Sequence, residues 1–152
     1  MSFLQGSASN NKKVTCYSWV IIILALIGIL NVALQWFGGE LSTDYMLKNV
    51  PGISVDIINI VIISILSFSV ISALIKLFIG IKGLKEVKGT SKGAGYITLA
   101  KIWLFFEVIA LIAGIIGIFN GERNYITLLS SLAFVIILYD FSKSCKEIRE
   151  GR

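Results

Sequence analysis

One acidic residue lies near the middle of a long apolar stretch. Glu107 is ten residues from Ile97 and ten from Gly117, and the residues around it are almost all apolar. An ionised carboxylate at the centre of a bilayer costs about 3 kcal/mol even on lenient insertion scales, so we expect Glu107 to be protonated, paired or in contact with water. It is a candidate proton or cation relay. The alternatives are a protonated packing contact between helices and a contact with a partner protein.

Serine hydroxyls at a similar depth are candidate partners of this carboxyl. At about 1.5 Å per helical residue, Glu107 lies about 15 Å from the inner end of its span. Lys101 is excluded as a partner, because six residues place it on a different face of the helix. The depth-matched hydroxyls on the neighbouring spans are those of Ser67, Ser69, Ser130 and Ser131.

A second polar set is predicted near the opposite end of the spans. Asn31 and Gln35 are four residues apart and share a helix face. Asp56 and Asn59 share a face at the start of the second span, and Thr127 lies at about the depth of Asn31. These residues are expected to line a shallow outward vestibule or to form hydrogen bonds between helices.

Small residues repeat on the third span with a spacing that favours close helix packing. Ala110 and Gly114 are four apart, as are Ala113 and Gly117. Small side chains at this spacing let helix backbones approach closely in a membrane. The pattern indicates packing within the bundle or a seam between copies of the chain.

A basic cytoplasmic loop rich in lysine and glycine is predicted at 80–96. Gly89, Gly93 and Gly95 indicate that a helix continuing into this segment stops near Val87. The segment is expected to set the topology and to face anionic lipid headgroups, at about 1 kcal/mol for each lysine. Gly93-Ala94-Gly95 precedes a span, but it lacks the preceding strand and the spacing of a nucleotide-binding motif. The headgroup-facing lysines are Lys82, Lys85, Lys88 and Lys92.

Several kinds of catalytic site are excluded by residue type. The chain has no histidine, which removes Ser-His-Asp catalysis and His-ligated zinc. Cys16 and Cys145 form no C-x-x-C motif and are expected to be structural, with lipidation as an alternative. One intramembrane carboxyl is not a catalytic pair. We therefore expect a non-enzymatic protein with no cofactor and no metal.

Composition predicts the secondary structure in which these residues lie. Of 152 residues, 56% are hydrophobic and 15% are charged, against about 25% charged in soluble domains. The unbroken apolar run in the first span favours helices over the alternating strands of a barrel. We predict a single all-α domain, an integral membrane four-helix bundle of two tandem hairpins. Its spans are about 17–37, 55–79, 97–119 and 125–141, with an outer loop 38–54, a mobile tail 1–16 and a second tail 142–152.

Lysine and arginine predict the orientation. Of 14 such residues, only Lys48 and Arg123 lie in the segments on one side. The bias places both termini in the cytoplasm by the positive-inside rule. The formal net charge of +5 favours an anionic lipid surface as partner rather than nucleic acid.

The two halves of the chain show weak similarity. Trp19 and Trp103 each precede an Ala-Leu-Ile segment, and Phe-x-Gly-Glu follows both spans. Lys85-Glu86-Val87-Lys88 is similar to Lys146-Glu147-Ile148-Arg149. A duplication would predict a parallel repeat about an axis along the membrane normal.

The basic segment also carries a family resemblance. Gly-Ile-Lys-Gly-Leu-Lys-Glu-Val-Lys-Gly at 80–89, followed by Lys-Gly-Ala-Gly at 92–95, resembles a broad group of small four-span bacterial membrane proteins of low-GC Gram-positive type. The resemblance covers residues 55–152. It implies a cytoplasmic-membrane location and provides no catalytic residues.

The expected function is an accessory or immunity-type subunit of a larger membrane assembly, acting through contacts with a membrane protein. The alternative is a small oligomeric transporter or channel that uses Glu107.

Overall fold

The computed structural model describes residues 2–39, 41–49, 52–120 and 125–151, without the side chains of 2–7, 49, 126 and 127. Within these ranges, α-helix is the regular secondary structure. The helices are α1 (Ser2–Phe37), α2 (Thr43–Asn49), α3 (Val55–Val87), α4 (Gly95–Phe119) and α5 (Tyr125–Glu150).

Four of the helices in the described ranges are long and apolar enough to cross a membrane. Their apolar side chains are mostly exposed: in the most apolar part of α4, only 6% of the residues are buried within the chain. Exposing that much apolar surface to water would be strongly unfavourable. The chain is therefore an all-α, multi-pass membrane protein.

The end of α3 confirms the expected helix stop near Val87. Gly89 has a φ of 73°, and its N–H donates to the Glu86 carbonyl at 3.0 Å. The Thr90 N–H donates to the Lys85 carbonyl at 2.9 Å. This pair of bonds is a Schellman motif, which glycine favours because it has no Cβ.

The expectation of a mobile N-terminal tail is wrong for the described residues. Helix α1 begins at Ser2, and Val14 is fully buried. Asn10 Nδ2 donates to Glu147 Oε2 at 2.8 Å. The polar composition of this segment does not prevent helix formation, because one face of it packs within the protein. Helix α5 likewise continues through most of the predicted C-terminal tail, to Glu150.

The predicted outer loop contains the short helix α2. Ser42 caps it, since the Tyr45 N–H donates to Ser42 Oγ at 3.2 Å. Leu41, just before the cap, forms a buried cluster with Ile58 and Ile62 of α3. This cluster holds α2 against the start of α3.

The chain divides into two compact units. The central unit is Ile21–Leu77, and the split unit combines Met1–Val20 with Phe78–Arg152. Helices α1 and α3 each contribute one part to each unit. The split unit buries its core around Ile79, Leu138 and Phe141, none of which has accessible surface.

A glycine allows a close approach of helices within the split unit. A Cβ built on Gly83 of α3 would collide with Ser18 Oγ of α1 and with the Phe141 ring of α5. Three chain segments therefore meet at a point where only glycine fits.

Candidate functional site

Glu107 is half-buried on α4. Trp103 Nε1, one turn earlier on the same helix, donates to Glu107 Oε1 at 3.1 Å. Trp103 itself is 7% exposed. A buried indole thus holds one oxygen of the mid-helix carboxyl and restricts its orientation.

The small residues of α4 have unequal surroundings. A Cβ on Gly114 would lie 3.3 Å from Leu128 Cδ1 of α5, so this glycine lies at the contact between the two helices. Gly117 is buried, whereas Ala110 and Ala113 are exposed. Close packing within the chain thus involves Gly114, while Ala110 is a small exposed residue three positions from Glu107.

The predicted serine partners lie in both units. Ser130 is exposed and Ser131 half-buried on α5. Ser67 is exposed and Ser69 half-buried on α3, in the central unit. Their pairing with Glu107 stays a prediction.

Asn31 lies in a polar groove of the central unit. The groove has a volume of about 210 Å³, and its polar lining residues are Asn31, Ser69, Ser72 and Lys76. Such residues within a span mark candidate ligand or ion sites.

The other predicted vestibule residues are distributed differently. Thr43 Oγ1 donates to Asn59 Oδ1 at 2.8 Å, and Asn59 lines another groove. Gln35 is half-buried and Asp56 exposed. The side chain of Thr127 lies outside the described residues. A single outward vestibule stays a prediction.

The predicted headgroup lysines occupy the end of α3 and the following loop. Lys85, Lys88 and Lys92 are exposed. Lys82 is half-buried, with its Nζ 5.5 Å from the centre of the Phe78 ring. At this distance the ammonium group can form a cation–π interaction. Contact of the exposed lysines with lipid headgroups stays a prediction.

Sequence reasoning missed a buried ion pair among these lysines. The Glu86 side chain has no accessible surface, and its Oε2 lies 3.0 Å from Arg149 Nε of α5. The Tyr96 hydroxyl donates to the same oxygen at 2.8 Å. We call Glu86, Tyr96 and Arg149 the carboxylate cluster.

The carboxylate cluster also holds the loop between α3 and α4. Arg149 Nη2 donates to the carbonyls of Gly93 at 2.6 Å and Ser91 at 3.3 Å. Gly93 has a φ of 76°, in the region that favours glycine. One guanidinium therefore links the end of α5 to both α3 and the loop, which positions the lysines beside it.

A second link joins α1 to α5. The Tyr17 hydroxyl donates to Asp140 Oδ2 at 3.2 Å. Together with the Asn10–Glu147 bond, it fixes the polar part of α1 against α5. These bonds make the basic end of the split unit a polar assembly of all four long helices.

A weak signal for the carboxylate cluster exists in the sequence. Glu86 is the one acidic residue between Ile57 and Phe106, and it lies in a run of lysines. Arg149 is one of three arginines in a lysine-rich chain, and arginine suits multidentate ion pairs. The sequence around Glu86 resembles the sequence around Glu147, yet Glu86 is buried and Glu147 is exposed. The similarity therefore did not reveal that the two acids differ in burial.

No family model, curated protein or solved structure matches the chain. Among the described residues, no group of three His, Cys, Asp or Glu side chains is placed to hold a metal ion.

Proposed function

We propose that this chain is a non-enzymatic accessory or immunity-type subunit of a larger assembly in a bacterial cytoplasmic membrane, with both termini in the cytoplasm. The observation that carries the proposal is on α4. Exposed Ala110 lies three residues from half-buried Glu107, on the same helix face. A small residue beside a carboxyl allows a partner helix to approach and to form a hydrogen bond.

One exposed side chain beside this face supports the proposal. Phe106, the residue before Glu107, is about half-exposed. In a membrane this surface can pack against lipid or against a helix. The lysines of the α3–α4 loop, with their excess of positive charge, support the cytoplasmic orientation.

The test is capture of a partner through this face. The tagged chain is extracted from its native host in mild detergent, and the complex is measured by native mass spectrometry. We expect a second polypeptide in fixed ratio, which Ala110→Trp abolishes by blocking the helix approach. Ala33→Trp, the same type of substitution at a half-buried alanine of the central unit, should retain it. A lone homo-oligomer, or a partner unaffected by Ala110→Trp, would contradict the proposal.

The second candidate function is a small oligomeric transporter or channel that uses Glu107. The polar groove with Asn31, Ser69, Ser72 and Lys76 favours it, because polar residues within a span are typical of ion and substrate paths. A four-span chain is narrow for a pathway of its own, so this function requires several copies.

Glu107→Gln separates the two functions. Glutamine retains an oxygen that can accept the Trp103 hydrogen bond, but it cannot release a proton at neutral pH. A transporter is expected to lose flux in proteoliposomes with its fold intact, whereas an accessory subunit is expected to retain its partner. Unchanged flux in the variant would exclude the relay.

A further inference from the structure

The polar groove of the central unit contains a cation. Its lining residues on α3 run from Phe68 to Lys76, and α1 contributes Gly28 and Asn31. Lys76 is half-buried, and it is the one charged side chain among the described residues that line the groove. By charge, the groove therefore complements an anionic group.

The spacing of charges along α3 gives the depth of Lys76 in a membrane. Asp56 and Lys76 are 20 residues apart, and none of the residues between them is charged. At about 1.5 Å per helical residue they are separated by about 30 Å, which is the thickness of the hydrocarbon core of a bilayer. If one charge lies at each boundary of the core, neither pays the cost of burial in hydrocarbon. Lys76 is therefore expected at the level of the lipid phosphates of one leaflet.

The groove residues follow the order of the chemical groups in a phospholipid. Ser72 and Ser69 also line the groove, and they lie about 6 Å and about 10 Å further into the core than Lys76. The ester carbonyls of a phospholipid likewise lie on the core side of its phosphate, and a serine hydroxyl can donate to a carbonyl. Gly28 leaves space for an acyl chain: apart from its chain neighbours and the backbone of its own helix, no described atom lies within 4 Å of an added Cβ.

We propose that the polar groove binds one phospholipid with a net negative charge. Lys76 pairs with the phosphate, Ser72 donates to an ester carbonyl, and an acyl chain lies beside Gly28. An anionic lipid is favoured over a zwitterionic one, because a headgroup cation would be repelled by the positive charge of the groove. Basic pockets between transmembrane helices bind anionic headgroups for the same reason. The site differs from the lysine surface expected at the end of α3, and it goes beyond the proposed accessory function, which depends on α4.

The test is lipid retention by the intact chain. The protein is reconstituted in bilayers with equal amounts of phosphatidylglycerol and phosphatidylcholine of the same acyl chains, extracted in mild detergent, and measured by native mass spectrometry. We expect one phosphatidylglycerol per chain. Lys76→Gln should reduce its retention about tenfold, because it removes a hydrogen bond between charged groups, whereas Lys76→Arg should retain the lipid. The matched control is Lys82→Gln, at another half-buried lysine of α3, which should not change retention.

A second variant tests the shape of the site without changing its charge. Gly28→Leu fills the space beside Gly28, and it should reduce the retention of phosphatidylglycerol several-fold while circular dichroism shows an unchanged helix content. Equal retention of phosphatidylcholine by the parent protein would overturn the anionic headgroup. Full lipid retention by helical Lys76→Gln would overturn the site. Displacement of the lipid by inorganic phosphate added to the buffer would assign the groove to a free anion and would overturn the lipid.

The lipid site and the accessory function fail separately. Lys76→Gln should release the lipid and leave the partner complex intact, and Ala110→Trp on α4 should do the reverse. The accessory proposal can therefore be wrong while the lipid site is right, and the lipid site can be wrong while the accessory proposal stands. A lipid retained in the polar groove would also remove the observation that favours the transporter, because it would occupy the path.

Discussion

Two of the carboxyls in the split unit, those of Glu86 and Glu107, have unlike surroundings. Glu86, at the basic end, is fully buried and bonded to Arg149 and Tyr96. Glu107, in the middle of α4, is half-buried and accepts a hydrogen bond from Trp103 of its own helix. Glu107, which stands out in the sequence because of its mid-span position, is thus less buried than Glu86.

The difference shows what each carboxyl can do. A buried ion pair with further hydrogen bonds cannot lose one partner without leaving an uncompensated charge, so Glu86 is suited to holding chain segments together. Glu107 is half-buried, and both functions proposed above use it. Five experiments test this contrast and the packing beside Glu86, in order of decreasing effect.

Glu86→Ala is expected to have the largest effect on stability. It leaves Arg149 without its carboxylate, and we expect the free energy of unfolding to fall by about 3 kcal/mol, because Arg149 retains some exposure to solvent. SDS titration in mixed micelles, followed by circular dichroism, measures it. The matched control is Glu147→Ala, at an exposed position, with a loss below about 0.5 kcal/mol. Equal losses in the two variants would remove the distinction between these acids.

Gly83→Ala tests the close packing beside the carboxylate cluster. The added Cβ collides with Ser18 and Phe141, so we expect a loss of about 2 kcal/mol in the same assay. Gly28→Ala is the control: apart from the backbone of its own helix, no described atom lies within 4 Å of an added Cβ, and alanine should leave stability unchanged or raise it.

Ser18→Ala should partly rescue Gly83→Ala. Among the described residues, Ser18 Oγ is buried with no hydrogen-bond partner. Its removal should therefore cost little free energy, and it leaves space for the Cβ added at position 83. If the double variant is no more stable than Gly83→Ala, the collision at Ser18 does not determine the loss.

Substitutions at Glu107 and at its hydrogen-bond donor Trp103 are expected to have smaller effects on stability. Trp103→Phe removes the indole N–H that Glu107 accepts, and we expect a loss of about 1 kcal/mol. Glu107→Gln retains the acceptor and should change the free energy of unfolding by less than about 0.5 kcal/mol. A loss at Glu107→Gln as large as at Glu86→Ala would show that both carboxyls are structural.

The reactivity of the two cysteines tests how tightly the chain packs around Glu86. This measurement does not depend on a change in the free energy of unfolding. Cys16 is exposed and Cys145 is buried, one turn before Arg149. A maleimide should therefore label one thiol in the folded protein and two after unfolding. In Glu86→Ala, the loosened cluster should make Cys145 reactive. Labelling of both thiols in the folded parent protein would contradict the burial of Cys145.

The sequence alone determined the class of this protein and several of its boundaries. Long apolar runs require a membrane-like environment, and glycine after Val87 ends a helix, because both effects depend on residues close together in the chain. The mid-helix position of Glu107 was evident for the same reason. The polar composition of the N-terminal segment did not predict its helix, because that helix is stabilised by distant residues such as Glu147.

Only the tertiary structure decided which charges are buried and where helices touch. Glu86 and Arg149 are 63 residues apart, and either could have been one more charge on a basic surface. Their pairing depends on how α3 and α5 meet. The tight space at Gly83 likewise arises from segments that approach each other in the fold. Local patterns in a sequence do not encode such distances, since the free energy of each contact is set by neighbours from elsewhere in the chain.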